Sequence, residues 1–200
     1  YKAIYQYPNL VGLTSSTVKT GKLLIEINTY ANPYPYVKQK ISSFISEYLT
    51  IINRQDLIEQ YNLSTFEINV LEKRRTLVEK LVSLIRFSFE DDVIRSLSSK
   101  IRHFYDLYYL SNDKDCMTYL HSIEFTKDLS ELLTHDQQKF NIPKGWQLKD
   151  PKDSPLLKEF PALWTKLSAT YQSELTPLAF SSIPNKDLIA ESFIKVIENI

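Results

Sequence analysis

The apolar residues of this chain change their spacing part-way along it, and that change constrains the fold more than any other feature. Over residues 1–30 they alternate: Ala3, Tyr5 and Tyr7 stand against Lys2, Ile4 and Gln6. A turn-like Gly12 and a Ser/Thr stretch follow, and Gly21 introduces the run Lys22 to Asn28. That run carries Leu23, Ile25 and Ile27 on one face and Leu24, Glu26 and Asn28 on the other. A period of two specifies strands. Pro33 and Pro35 end the second one, because proline cannot donate to a ladder. From Val37 to Leu63 the spacing of Ile41, Phe44, Ile45, Tyr48 and Leu49 predicts helix. Phe66, Ile68 and Val70 alternate long enough to return one strand to the sheet.

Beyond that point the chain reads as helix. The clearest segments run from Thr76 to about Glu90, Ser98 to about Leu110 and Ile123 to about Phe140. A loop from Asn141 to Phe160 holds Pro143, Gly145, Pro151 and Pro155, and two more helices follow near 161–171 and 187–200. Strands first and helices afterward is an α+β order. It divides the chain into a sheet region at 1–72 and a helical region at 73–200.

Composition excludes several functions. Lys+Arg and Asp+Glu balance at 24 each, so no global field draws the chain to nucleic acid or membrane; RNA contact needs a local patch. The single cysteine, Cys116, permits no intrachain disulfide and suits a reducing cytoplasm. It reads as lying in a polar loop five residues before His121, a weak setting for a thiol nucleophile. His103, His121 and His135 lack zinc-ligand spacing. No Gly-rich phosphate loop is present. No apolar run approaches the ~18 residues of a membrane span, and the start is unlike a signal peptide. The chain opens without Met, directly on a strand, and is expected to be a fragment.

Three charged residues stand out. Thr76 followed by Glu79 matches a capping box, which predicts a helix start at Thr76 with Lys80 in its first turn. Leu77, Val78, Leu81, Val82, Leu84, Ile85 and Phe89 form the apolar stripe, and Lys80 sits just outside it beside Leu84 and Phe87. It is either a snorkelling surface lysine or an ammonium aimed at phosphate. In the next helix Leu97, Ile101, Phe104, Tyr105 and Tyr108 make the stripe, while Arg102 and Asp106 share another face. Asp106 could pair with Arg102, or hold a metal, a substrate group or Lys80. Glu26 lies in an apolar strand, either on a solvated edge or beside a cation such as Mg²⁺. The run Lys73-Arg74-Arg75 is either a solvated face or a guide for RNA or triphosphate. Tyr34, Tyr36, Tyr105, Tyr108 and Tyr109 read as packing residues rather than as a base-stacking platform.

Taken together, four segments resemble the AbiEii/AbiGii nucleotidyltransferase toxin family of abortive-infection toxin–antitoxin pairs. They are Leu23 to Asn28 with its Pro-Tyr-Pro follower, Phe66 to Leu71, Arg75 to Leu81 and Ile101 to Leu107. The resemblance implies a polymerase β-like nucleotidyltransferase mixed sheet followed by a helical C-terminal domain. It implies Mg²⁺-dependent transfer of a nucleotide from NTP to an RNA acceptor, a tRNA, in a bacterial cytoplasm, with a winged-helix antitoxin as partner. Lys80 matches the motif lysine, Asp106 the last motif aspartate and Glu26 a metal-binding carboxylate. Arg75 and Arg102 are the expected substrate-binding residues. The family's early Gly-Ser motif with two acidic residues does not occur in this chain, which alone is expected to be inactive. Two other readings stay open. One is a non-enzymatic interaction module on the helical half from Ile123 onward. The other is an RNA-binding module using Lys73, Arg74, Arg75 and Arg86.

Overall fold

A computed structural model of the protein describes residues 2–8, 20–27, 35–179 and 181–200. Gly12, the Ser/Thr stretch, Asn28, Pro33 and Tyr34 lie outside them. The chain divides into two compact units, Tyr1–Tyr34 and Pro35–Ile200. The α+β order is present, and the described strands pair as two separate two-stranded antiparallel sheets.

Among the described residues of the first unit, β1 (Lys2–Pro8) pairs with β2 (Thr20–Glu26). Its register sets Ala3 opposite Ile25, Tyr5 opposite Leu23 and Ile4 opposite Leu24, with Lys2 opposite Glu26 at the open end. In the second unit, β3 (Tyr36–Ile41) pairs with β4 (Phe66–Leu71). Helical spacing from Val37 was therefore misleading up to Ile41. Val37, Gln39 and Ile41 meet Val70, Ile68 and Phe66 on one face, and Lys40 meets Glu67 on the other. Such cross-strand pairs stabilise a ladder whose second strand lies far along the chain. The alternation at Phe66–Val70 thus pairs with β3, not with the β1–β2 sheet. Between these strands come α1 (Phe44–Ile51), started where Ser43 accepts from the Ser46 amide, and α2 (Gln55–Gln60).

The helical body consists of α3 (Lys73–Phe87), α4 (Val93–Ser98), α5 (Ile101–Ser111), α6 (Lys114–Leu120), α7 (Ile123–Lys139), α8 (Pro155–Leu175) and α9 (Lys186–Ile197). The helix expected from Ser98 starts at Ile101, with Lys100 opening α5; Ser98 instead ends α4, which Asp92 caps through the Arg95 amide. The loop expected to reach Phe160 ends sooner. Pro155 starts α8, since proline suits a first helical turn. Glu159 is non-helical (φ −129°, ψ 22°), a break that Pro161 accounts for by clashing with the preceding turn. Cys116 is buried in α6, not placed in a loop, and burial pushes its thiol up to about 11, which leaves it a poor nucleophile.

The core lies where α5 meets α3, α8 and α9. Phe104 of α5 packs its ring 5.0 Å from Phe193, 5.2 Å from Trp164 and 6.0 Å from Phe160. Leu77, Val78, Leu81, Leu84 and Ile85 on α3 are fully buried beside it. A polar knot joins α3 to α7. Asp136 accepts from the Trp146 indole at 2.9 Å and faces the Arg86 guanidinium at 3.4 Å. Phe104→Ala should cost about 3–5 kcal/mol. Urea unfolding checks this: the midpoint should fall with the slope unchanged, and a near-neutral result would remove Phe104 from the centre of the core.

Candidate functional site

The site is built on α3 and α5, and it starts from where α3 begins. The capping box at Thr76 does not form. Glu72 is extended (φ −59°, ψ 140°) and α3 starts at Lys73, directly after the β4 ladder ends. Thr76 is already inside the helix, with its amide and hydroxyl both donating to the Glu72 carbonyl at 2.9 and 3.1 Å. Glu79 accepts instead from Arg75 Nε at 3.0 Å. Lys80 therefore lies in the middle of α3, clear of the helix start, and its charge has no helix-dipole penalty to offset.

Lys80 Nζ contacts Asp106 Oδ2 of α5 at 2.8 Å, with side chains 28% and 36% exposed. Among the partners open to Asp106, the fold selects Lys80 and not Arg102, which is exposed on the same face of α5 and makes no ion pair among the described residues. A third member was not singled out in the sequence. His103, one turn before Asp106, sets its Nδ1 3.5 Å from Lys80 Nζ. An ammonium only donates, so this nitrogen is the acceptor and the ring is neutral with its proton on Nε2. Burial, the Lys80 charge and that of Lys100 push the His103 pKa down to about 4, against a smaller opposing pull from Asp106. Two of the three Lys80 N–H groups thus point at Asp106 and His103, leaving one for an incoming acceptor. The only sequence signal for His103 was its place in the Arg-His-x-x-Asp run, because a histidine between apolar positions is common in any amphipathic helix.

The other candidates are placed differently. Arg75 is held by Glu79, about 140° round the helix from Lys80. Glu26 is exposed at the end of β2 and pairs with Lys2 at 3.0 Å. Among the described residues, no three His, Cys, Asp or Glu side chains gather so as to hold a metal ion. The basic run is taken up inside the fold. Lys73 bridges Asp113 and Asp115 at 2.7 and 2.8 Å, and Arg74 lies 4.0 Å from Glu72 and over the Tyr119 ring. With Arg86 facing Asp136, all four cations of the RNA-binding reading already have acidic partners. In the helical half, the exposed large apolar residues Ile123, Ile142, Leu148, Leu178 and Leu188 fall in five separate segments.

A family model described as "Nucleotidyl transferase AbiEii toxin, Type IV TA system" matches residues 2–191. The chain belongs to the AbiEii toxin family. No curated protein and no solved structure matches it. Membership makes this AbiEii chain a nucleotidyltransferase-type toxin of a type IV toxin–antitoxin system, with an antitoxin as partner. No helix among the described residues is long and apolar enough to cross a membrane.

The neutral His103 of this AbiEii site has a measurable consequence. Its folded pKa lies below the ordinary ~6.5, so the unfolded chain binds the proton first as pH falls. The His103 contribution to stability is complete above about 6.5 and lost progressively toward 4. His103→Gln should flatten the drop in melting temperature between about pH 7 and pH 5 relative to wild type. Identical slopes in the two proteins would show that His103 titrates normally.

Proposed function

We propose that the protein transfers a nucleotide from an NTP to an RNA acceptor, a tRNA, in a Mg²⁺-dependent reaction. It would do so in the bacterial cytoplasm as the toxin of a phage-defence pair whose antitoxin is a winged-helix protein. The observation that carries this reading is the Lys80–Asp106 pair, joining α3 to α5 in a chain of the AbiEii family.

In the proposed reaction, an RNA hydroxyl attacks the α-phosphate in line and gives up its proton to water, forming a new ester bond as the bond to the β-phosphate breaks and pyrophosphate leaves. Lys80 supplies its free N–H to a phosphate oxygen. Asp106 and His103 hold the ammonium in place beforehand, so little reorganisation is needed as charge shifts during transfer. Arg102, exposed one turn from Asp106, is assigned to substrate phosphates. Glu26 is the residue assigned to Mg²⁺. A hard cation prefers oxygen ligands, and the Glu26 carboxylate would supply one. The exposed Lys2–Glu26 pair is a weak competitor for it.

The test is a transfer assay on the protein as its host makes it, with Mg²⁺, each labelled NTP and bulk tRNA. Wild type should label RNA. Lys80→Ala and Asp106→Asn should each lose about 10²-fold or more while melting cooperatively. Transfer undiminished in Lys80→Ala would remove the site, and absence of transfer with every NTP would remove the reaction.

A further inference from the structure

Cations gather around the Phe87 ring at the end of α3. The Arg86 guanidinium lies 4.9 Å from the ring centroid and Lys100 Nζ lies 4.4 Å from the same centroid. Lys100 opens α5, and its carbonyl accepts from the His103 amide at 2.8 Å. The His103 ring in turn rests against Lys80. Arg86 and Lys100 thus share the Phe87 ring, and Lys100 lies near enough for its charge to act on Lys80 and His103. Two of the three have anions: Asp136 faces Arg86 at 3.4 Å and Asp106 contacts Lys80 at 2.8 Å. Lys100 makes no ion pair and no side-chain hydrogen bond among the described residues. The Phe87 face holds its ammonium without cancelling the charge. Burial, together with the charges of Arg86 and Lys80, pushes the Lys100 pKa down. A half-buried cation kept beside two others, with no anion of its own, is costly in the free protein. An anionic ligand reverses that cost.

We propose that Lys100 is a second phosphate-binding residue, which with Lys80 takes the triphosphate of the incoming nucleotide. The identity of the anion rests on the nucleotidyltransferase reading above. RNA offers the same phosphate chemistry, but spreads about one charge per nucleotide along its strand. Cations gathered round one ring and one imidazole match the clustered charge of a triphosphate better.

Calorimetric titration with inorganic tripolyphosphate tests the site without requiring any chemistry. Wild type should bind it, Lys100→Gln should weaken binding about tenfold, and Lys100→Arg should keep most of it. In the transfer assay, Lys100→Gln should raise the KM for NTP by a similar factor with a smaller effect on kcat. Tripolyphosphate binding without any transfer would keep this site and reject the reaction. The inference is overturned if wild type does not bind tripolyphosphate, or if Lys100→Gln binds it unchanged. It is also overturned if that variant loses affinity only for a short single-stranded RNA. Transfer with an unchanged KM for NTP in Lys100→Gln would reject Lys100 and leave the reaction standing.

Discussion

The rotation of α5 about its own axis governs the candidate site, and the burial of Phe104 sets that rotation. Phe104 is 1% exposed among Phe160, Trp164 and Phe193, with Ile101 and Leu107 buried on the same side of the helix. Once these side chains face inward, His103 and Asp106 emerge at the border with α3. On α3, the burial of Leu77, Leu81 and Leu84 leaves Lys80 at the matching border. Each large apolar side chain contributes about 1.5–3 kcal/mol. A half-exposed ion pair contributes about 1 kcal/mol or less. The Lys80–Asp106 contact is therefore a consequence of the packing and not its cause, and the core holds the ammonium in place.

The same hierarchy decides which charges remain available. Arg86 is committed to Asp136, which also accepts from the Trp146 indole, and burial raises the Asp136 pKa even against the pull of Arg86. Lys73 ties the start of α3 to the first residues of α6, and Arg75 is spent on Glu79 along its own helix. A run that looked like a basic strip in the sequence is thus neutralised locally, and positive charge persists where Phe87 and His103 hold Lys100 and Lys80. That distribution suits a compact anion better than a long polyanion.

Both strand pairs depend less on burial than the helices do. Ile4, Leu23 and Leu24 in the first, and Phe66, Ile68 and Val70 in the second, stay exposed. Their registers are set by cross-strand pairs such as Lys2 with Glu26 and Lys40 with Glu67. Two-stranded hairpins are marginal on such pairs alone. Burial is concentrated instead in the helical body, where Lys80 and Asp106 meet.

The α+β order, the stripes of α3 and α5, the ends of α7 and Lys80 as one possible partner of Asp106 were legible in the sequence, because helical period and side-chain type are local properties. The early part of Val37–Leu63 was misread because β3 is defined by β4, a partner no window of neighbouring residues contains. The Thr76 box was overruled because the β4 ladder ends at Leu71 and the helix starts as soon as it is free to. His103 and Lys100 gave no distinctive signal. A neutral imidazole and an unpaired ammonium acquire meaning only from the charges that other helices bring to them. The sequence by itself determined which faces would be buried and which residue types were on hand for phosphate chemistry. Tertiary structure decided which charges would meet, since the low-dielectric border between α3 and α5 exists only once the two helices have packed.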